Sequence, residues 1–225
     1  MEQHSIKVIA RIRSDFPEKF GIPRQSGLVP QLRATVVFEP EFRSADALRG
    51  LEGFSHLWLI WQFSLAVRED WSPTVRPPRL GGNERMGVFA TRSPFRPNPI
   101  GLSSVKLEGI GQDAALGPVL YVSGADLMDG TPIYDVKPYL PYADSHADAV
   151  GGFAPLPKAT IAVDCPAELL CRLPQERREA LLGVLAQDPR PPYQDDPARI
   201  YGMRFADHEI KFRVEQGRLY VTEIE

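Results

Sequence analysis

The chain has no long apolar run, little cysteine and none of the common nucleotide-binding or hydrolytic signatures. Its longest greasy stretch, Leu57–Val67, is interrupted by Gln62 and Ser64. It falls far short of the ~20 residues that a membrane-spanning helix needs. The opening segment, MEQHSIKVIARIR, lacks the apolar centre of a signal peptide. Only two cysteines occur, Cys165 and Cys171, at a spacing that fits neither a zinc knuckle nor a redox pair. They are expected as reduced thiols in a cytoplasmic protein. No G-x-G-x-x-G follows a strand pattern, and neither G-x-x-x-x-G-K-[ST] nor H-E-x-x-H occurs. No serine sits in a G-x-S-x-G elbow. These absences disfavour a Rossmann dinucleotide enzyme, a P-loop NTPase, a zinc hydrolase and an α/β-hydrolase. No metal site and no membrane association are expected.

What the chain does have is proline, 22 in 225 residues, which argues for fixed loops and against a helical bundle. The net charge is −3, yet its distribution is uneven. From Arg76 to Lys106 there are six basic residues (Arg76, Arg79, Arg85, Arg92, Arg96, Lys106) and one acid, Glu84. A basic stretch on an acidic background is the footprint of a phosphate- or RNA-binding face.

That stretch centres on Arg85–Leu107, RMGVFATRSPFRPNPIGLSSVKL. The pattern predicts a short strand over Met86–Ala90, a loop over Thr91–Pro99 and an alternating strand over Ile100–Leu107. Pro94, Pro97 and Pro99 fix the loop, so it has little entropy to lose when a ligand arrives. Arg92, Ser93, Arg96 and Asn98 supply donors suited to a carboxylate, a phosphate or a base edge.

Elsewhere, strands are expected at Ser5–Arg13, Ala34–Phe38, Leu57–Phe63 and Val119–Ser123, with a short helix at Ser44–Leu51 capped by Ser44. Trp58 and Trp61 read as core. Asp15–Leu28 is a long loop without periodicity, and its backbone N–H groups around Gly27 are candidate ligand contacts. The Asp129-Gly130 pair marks a tight turn within an acidic segment that holds Asp126, Asp129 and Asp135. The reading is mainly β: an antiparallel β-barrel over residues 1–145, a linker at 146–158, and a small C-terminal α+β unit over 159–225. That unit should contain a strand at Thr160–Cys165, an amphipathic helix at Pro174–Ala186, and strands at Ile200–Phe205, Ile210–Val214 and Leu219–Ile224.

The run RMGVFATRSPFRPNPIGLS, with RPPRLGGN before it and DGTPIYDVKPYLP after it, resembles the TrmO (TsaA-like) family of tRNA methyltransferases. RGLEGFSHLWLIW and AQDPRPPY extend the resemblance over most of the chain. It implies a homodimeric β-barrel that uses S-adenosylmethionine to methylate N6 of threonylcarbamoyl-adenosine immediately 3′ of the tRNA anticodon. It implies cofactor contacts at Ser26, Gly27, Leu28, Arg92, Leu102 and Asp126, Leu127, Met128, Asp129. Ser64 and Leu65 also align with a cofactor position, where the family often has His-Gln and this sequence departs.

In this reading Arg92 anchors the cofactor, while Arg96 and Asn98 face the nucleobase or its threonyl carboxylate. Asp129, Asp135 and His56 are candidate general bases, and the catalytic set is Arg96, Asn98 and Asp129. Arg76, Arg79 and Arg85 are expected to contact RNA phosphates. The alternative from the residues alone is a non-catalytic RNA-binding barrel.

Overall fold

The computed structural model describes all residues except 1, 3, 192, 193 and 195. Pro192 and Tyr193 of the AQDPRPPY motif therefore lie outside the described residues. The chain is mainly β. Its first part contains β1 (Ala10–Arg13), β2 (Arg33–Phe38), β3 (His56–Gln62), β4 (Thr74–Val75), β5 (Met86–Gly87), β6 (Ile100–Asp113), β7 (Gly117–Ser123) and β8 (Pro132–Pro138). Six of these form one antiparallel sheet in the order β1-β2-β7-β6-β3-β8, and β8 pairs back onto β1, so the sheet closes on itself.

Strand side chains alternate between faces, and the closed sheet turns one set inward. Leu57, Leu59 and Trp61 of β3 meet Ile12, Val36, Leu120 and Ile133 in its interior. One inward position, Ser103 of β6, is polar and has no solvent exposure. β4 and β5 pair only with each other and form a small flap before the basic loop.

A short helix α1 (Pro141–Asp144) leads out of the ring. The second part comprises β9 (Ala162–Asp164), α2 (Ala167–Leu170), α3 (Gln175–Ala186), β10 (Tyr201–Phe205), β11 (His208–Glu215) and β12 (Arg218–Ile224). Its sheet order is β10-β11-β12-β9, with β9 parallel to β12. Ala180, Leu181, Val184 and Leu185 of α3 are buried in this unit's core.

That core is not built from the C-terminal residues alone. Phe16, Val29 and Leu32, from the long loop between β1 and β2, are buried within it. Phe16 meets Phe205 edge-on at 5.6 Å, and Phe20 stacks on Phe212 at 6.5 Å. Asp15 pairs with Arg177 of α3 at 3.1 Å and accepts a backbone hydrogen bond from Ala206. Burial raises the Asp15 pKa despite Arg177, so the ion pair is not the main clamp. Each fully buried apolar side chain contributes ~1.5–3 kcal/mol, and Phe16, Val29 and Leu32 hold the loop.

Several local expectations change. The first strand starts at Ala10, not Ser5, because Ala10 already lies opposite Phe38, the last residue of β2. The expected helix at Ser44–Leu51 is two 3-10 turns, and Ser44 makes no side-chain cap. Gly50, at φ +87°, separates them. Met86–Ala90 is strand only to Gly87, then a 3-10 turn. β6 runs on to Asp113, and β8 was not expected from sequence.

Candidate active site

Three chain segments meet beyond the end of β7. Asp126 follows β7 in the connection to β8, Ser26 lies in the β1–β2 loop, and Arg92 lies in the proline-rich loop before β6. The Ser26 backbone hydrogen-bonds to the Asp126 carboxylate, and Arg92 is close enough to lower its pKa. Arg92 also donates a hydrogen bond to the Gln25 side-chain oxygen. Sequence reading placed these residues in one site, and the fold brings them together.

Asp126 is held from inside the ring. Ser103 donates to it at 2.6 Å, and Trp61 donates its indole N–H to Ser103 at 2.9 Å. A side chain on Gly101, which lies opposite Trp61, would run into that indole, so glycine is required there. Burial raises the Asp126 pKa above its ordinary value, opposed by the Ser103 hydrogen bond and by Arg92. The result is a partly buried carboxylate in fixed orientation, with lone pairs left for a ligand.

The flanking loops are braced by backbone. Gly27, expected to offer its N–H to a ligand, instead donates it to Gly124 at 2.8 Å. Both glycines have positive φ, and a Cβ at Gly124 would lie 3.3 Å from Gly27. Lys19 donates to the Leu65 carbonyl at 3.3 Å, tying the Ser64–Ala66 turn to the same loop. Leu65 and Leu102 are outward and 60% and 51% exposed, available to an apolar ligand face. Leu127, by contrast, is buried in the ring core, and its carbonyl accepts from Ser14. The Met128 carbonyl is taken by Thr131. Leu28 is partly exposed in the β1–β2 loop.

The remaining expected residues are more scattered in their contacts. Asp129 is exposed and accepts the Ser14 backbone N–H at 3.0 Å, while Gly130 takes φ +74° in the tight turn. Asp135 pairs with Lys137 at 3.1 Å. Arg96 donates to the Thr91 carbonyl at 3.1 Å and so stiffens its own loop. The Asn98 carbonyl accepts from Ile100 at 2.7 Å, and Asn98 is exposed. Arg76 is exposed on the flap side, Arg79 donates to the Leu156 carbonyl, and Arg85 reaches Thr74 at 3.5 Å.

Sequence reading missed Ser103, Trp61 and Gln25 as parts of the site. Trp61 was read as core, which its ring is. The available signal was Ser103, a polar residue at an inward position between Gly101 and Val105.

The family profile for the tRNA-methyltransferase O N-terminal domain matches residues 11–145, and that for the TrmO C-terminal domain matches 158–225. The tRNA (adenine(37)-N6)-methyltransferase of Escherichia coli strain K12 is 43% identical, covering 100% of this chain and 99% of that protein. Pseudomonas aeruginosa RcsF, provisionally named an S-adenosylmethionine-dependent methyltransferase, is 47% identical over 92% of this chain and 91% of its own. The crystal structure of TrmO from Pseudomonas aeruginosa superposes with a TM-score of 0.82 at 39% identity, covering 100% and 99% of the two chains. On these matches the chain belongs to the tRNA-methyltransferase O family.

Proposed function

We propose that this chain is an S-adenosylmethionine-dependent methyltransferase acting on N6 of adenosine 37 of tRNA. The observation that carries the reading is the meeting of Ser26, Arg92 and Asp126 in a chain so close to the E. coli enzyme over its full length. In this reading the substrate adenosine already carries threonylcarbamoyl, the protein is a cytoplasmic homodimer, and the closed sheet is the methyltransferase barrel. The domain division is 1–145, a linker to 158, and 159–225. Exposed Trp71 and Phe89, stacked at 6.1 Å, form an outward aromatic pair that a partner copy could cover, which supports the dimer. Among the described residues no helix is long and apolar enough to cross a membrane.

The residues present fit the cofactor. Asp126 can accept from ribose hydroxyls, the Arg92 guanidinium suits the amino-acid carboxylate, and Leu65 and Leu102 can cover the adenine. Gly27, Leu28, Ser64, Leu127, Met128 and Asp129 shape the surrounding backbone. When bound, S-adenosylmethionine supplies a methyl group on an already activated sulfonium. The chain then has to align the adenine nitrogen with that carbon, and Arg96 and Asn98 do so from the rigid loop. Transfer of the methyl would break its bond to sulfur, leave the donor as a neutral thioether and release one proton from the nitrogen, for which Asp129, Asp135 and His56 are the candidate acceptors. Arg76, Arg79 and Arg85 hold phosphates.

The test is incubation with S-adenosylmethionine and tRNA with or without threonylcarbamoyl, followed by nucleoside mass spectrometry. One methyl added only to the modified nucleoside is expected. RNA binding without methyl transfer would replace this reading with a non-catalytic RNA-binding barrel.

A further inference from the structure

A cleft of about 360 Å³ opens beside the Gly27–Gly124 contact, lined in part by Pro30 and Gln31. Its floor crosses four adjacent strands. Arg33 of β2 lies opposite Ser123 of β7, Ser123 opposite Lys106 of β6, and Lys106 opposite His56 of β3. At ~4.8 Å per strand this row spans roughly 14 Å.

Among the described residues, Glu108 is the one acid lining the cleft, and it organises the row. It is the extra residue of a β-bulge, since Leu107 and Gly109 lie opposite consecutive β7 residues. Such a bulge re-aims a side chain. Its Oε1 accepts from Ser123 at 2.6 Å and sits 2.9 Å from Arg33 and 3.2 Å from Lys106. The Ser123 hydrogen bond, with Lys106 and Arg33, holds its pKa down at about 2. Two cations are thus fixed side by side around one carboxylate oxygen, leaving a net positive charge. Their side chains are 63% and 55% exposed, and guanidinium and ammonium keep further donors to share. Next to the row, His56 and Trp58 both contact the Tyr139 ring, at 6.2 and 5.6 Å.

A line of cations bordered by aromatic rings is how single-stranded nucleic acid is held. We propose that this cleft binds backbone phosphates of the single-stranded RNA loop that carries the target adenosine, through Arg33 and Lys106. It is a contact face additional to Arg76, Arg79 and Arg85, and it rests on the tRNA reading above.

The experiment measures binding of an anticodon stem-loop RNA, at several salt concentrations, to the full-length protein and to Arg33→Gln, Lys106→Gln and Gln31→Lys. Each lost phosphate contact should lower the slope of log affinity against log salt by ~0.7–0.9. Arg33→Gln and Lys106→Gln should each show that loss with unchanged S-adenosylmethionine affinity, and Gln31→Lys should steepen the slope. Unchanged slopes in all three folded variants would overturn the proposal while wild-type methyl transfer left the tRNA reading standing. Inorganic phosphate titrated alone separates the sources. Saturable phosphate binding that depends on Lys106, with RNA binding indifferent to it, would assign the cleft to free phosphate and also overturn the proposal. Absence of wild-type methyl transfer would count against the tRNA reading instead.

Discussion

The closed six-stranded sheet and the C-terminal four-stranded sheet divide the work unequally. The first carries long, proline-fixed loops and one polar chain inside its wall, Trp61 to Ser103 to Asp126. The second has tight hairpin turns, with Ala206 and Gln216 at positive φ, and its core is mostly apolar, with Asp188 buried beside it and paired to Lys158 and Arg190. Its core nevertheless takes in Phe16, Val29 and Leu32 from the loop that presents Ser26. One region carries Arg92 and Asp126, and the other anchors the loop that brings Ser26 to them.

The largest expected effect breaks this arrangement from a distance. Phe205→Ala, buried in the second unit against Phe16, should cost ~3–5 kcal/mol of stability. It should also weaken S-adenosylmethionine binding, although Phe205 is no part of the site. Denaturant unfolding and calorimetry on the same protein check both, and unaltered cofactor affinity would separate the two regions. Next, Ser103→Ala strips Trp61 and Asp126 of a buried partner, for a loss of ~1–3 kcal/mol. Thermal melts should show it, and Asp126→Asn in the same background should recover part of it.

A smaller, sharper effect is expected at Arg96. It touches its own loop rather than Asp126, so Arg96→Ala should leave cofactor affinity within about twofold while methyl transfer falls. Parallel loss of both would erase the division between Arg92 and Arg96.

The smallest effects are pH-dependent. The Asp126 pKa is raised, so the folded state binds its proton more readily than the unfolded chain does. That group therefore makes the fold less stable as pH rises through its range, and cofactor affinity should drop as pH falls through the raised pKa. The drop should begin at a higher pH than for an ordinary aspartate and vanish in Asp126→Asn. Glu108 acts oppositely: with its folded pKa at about 2, its stabilisation is full above the unfolded value of ~4.3 and fades as pH falls toward 2. Because its cationic partners are more than half exposed, solvent screening should keep the amplitude small.

Much of this was legible from sequence because alternation and proline act locally. β2, β3 and the last three strands stand within a residue or two of where their patterns put them. β8 was missed because Pro132 and the charged Asp135 and Lys137 hide its period, and its pairing with both β1 and β3 is non-local. The 3-10 turns at Ala45–Leu48 and Leu51–Gly53 were misread because a run without a cap bond looks helical in one dimension. The cofactor role of Asp126 and Arg92 came from family resemblance. Their shared hydrogen-bond frame did not, since Ser103 reaches Asp126 only after the sheet closes. Nor could sequence show that the β1–β2 loop belongs to the C-terminal core, because Phe16 and Phe205 are far apart along the chain.

The most direct test is calorimetric titration of the wild type, Arg92→Ala and Asp126→Asn with S-adenosylmethionine, without RNA. The account predicts saturable binding by the wild type and a loss of about tenfold or more in each variant, with melting temperatures kept. That loss corresponds to ~1.4 kcal/mol or more, as expected for a hydrogen bond to a charged group. Wild-type affinity in both variants would contradict it and move the methyl donor elsewhere on the ring.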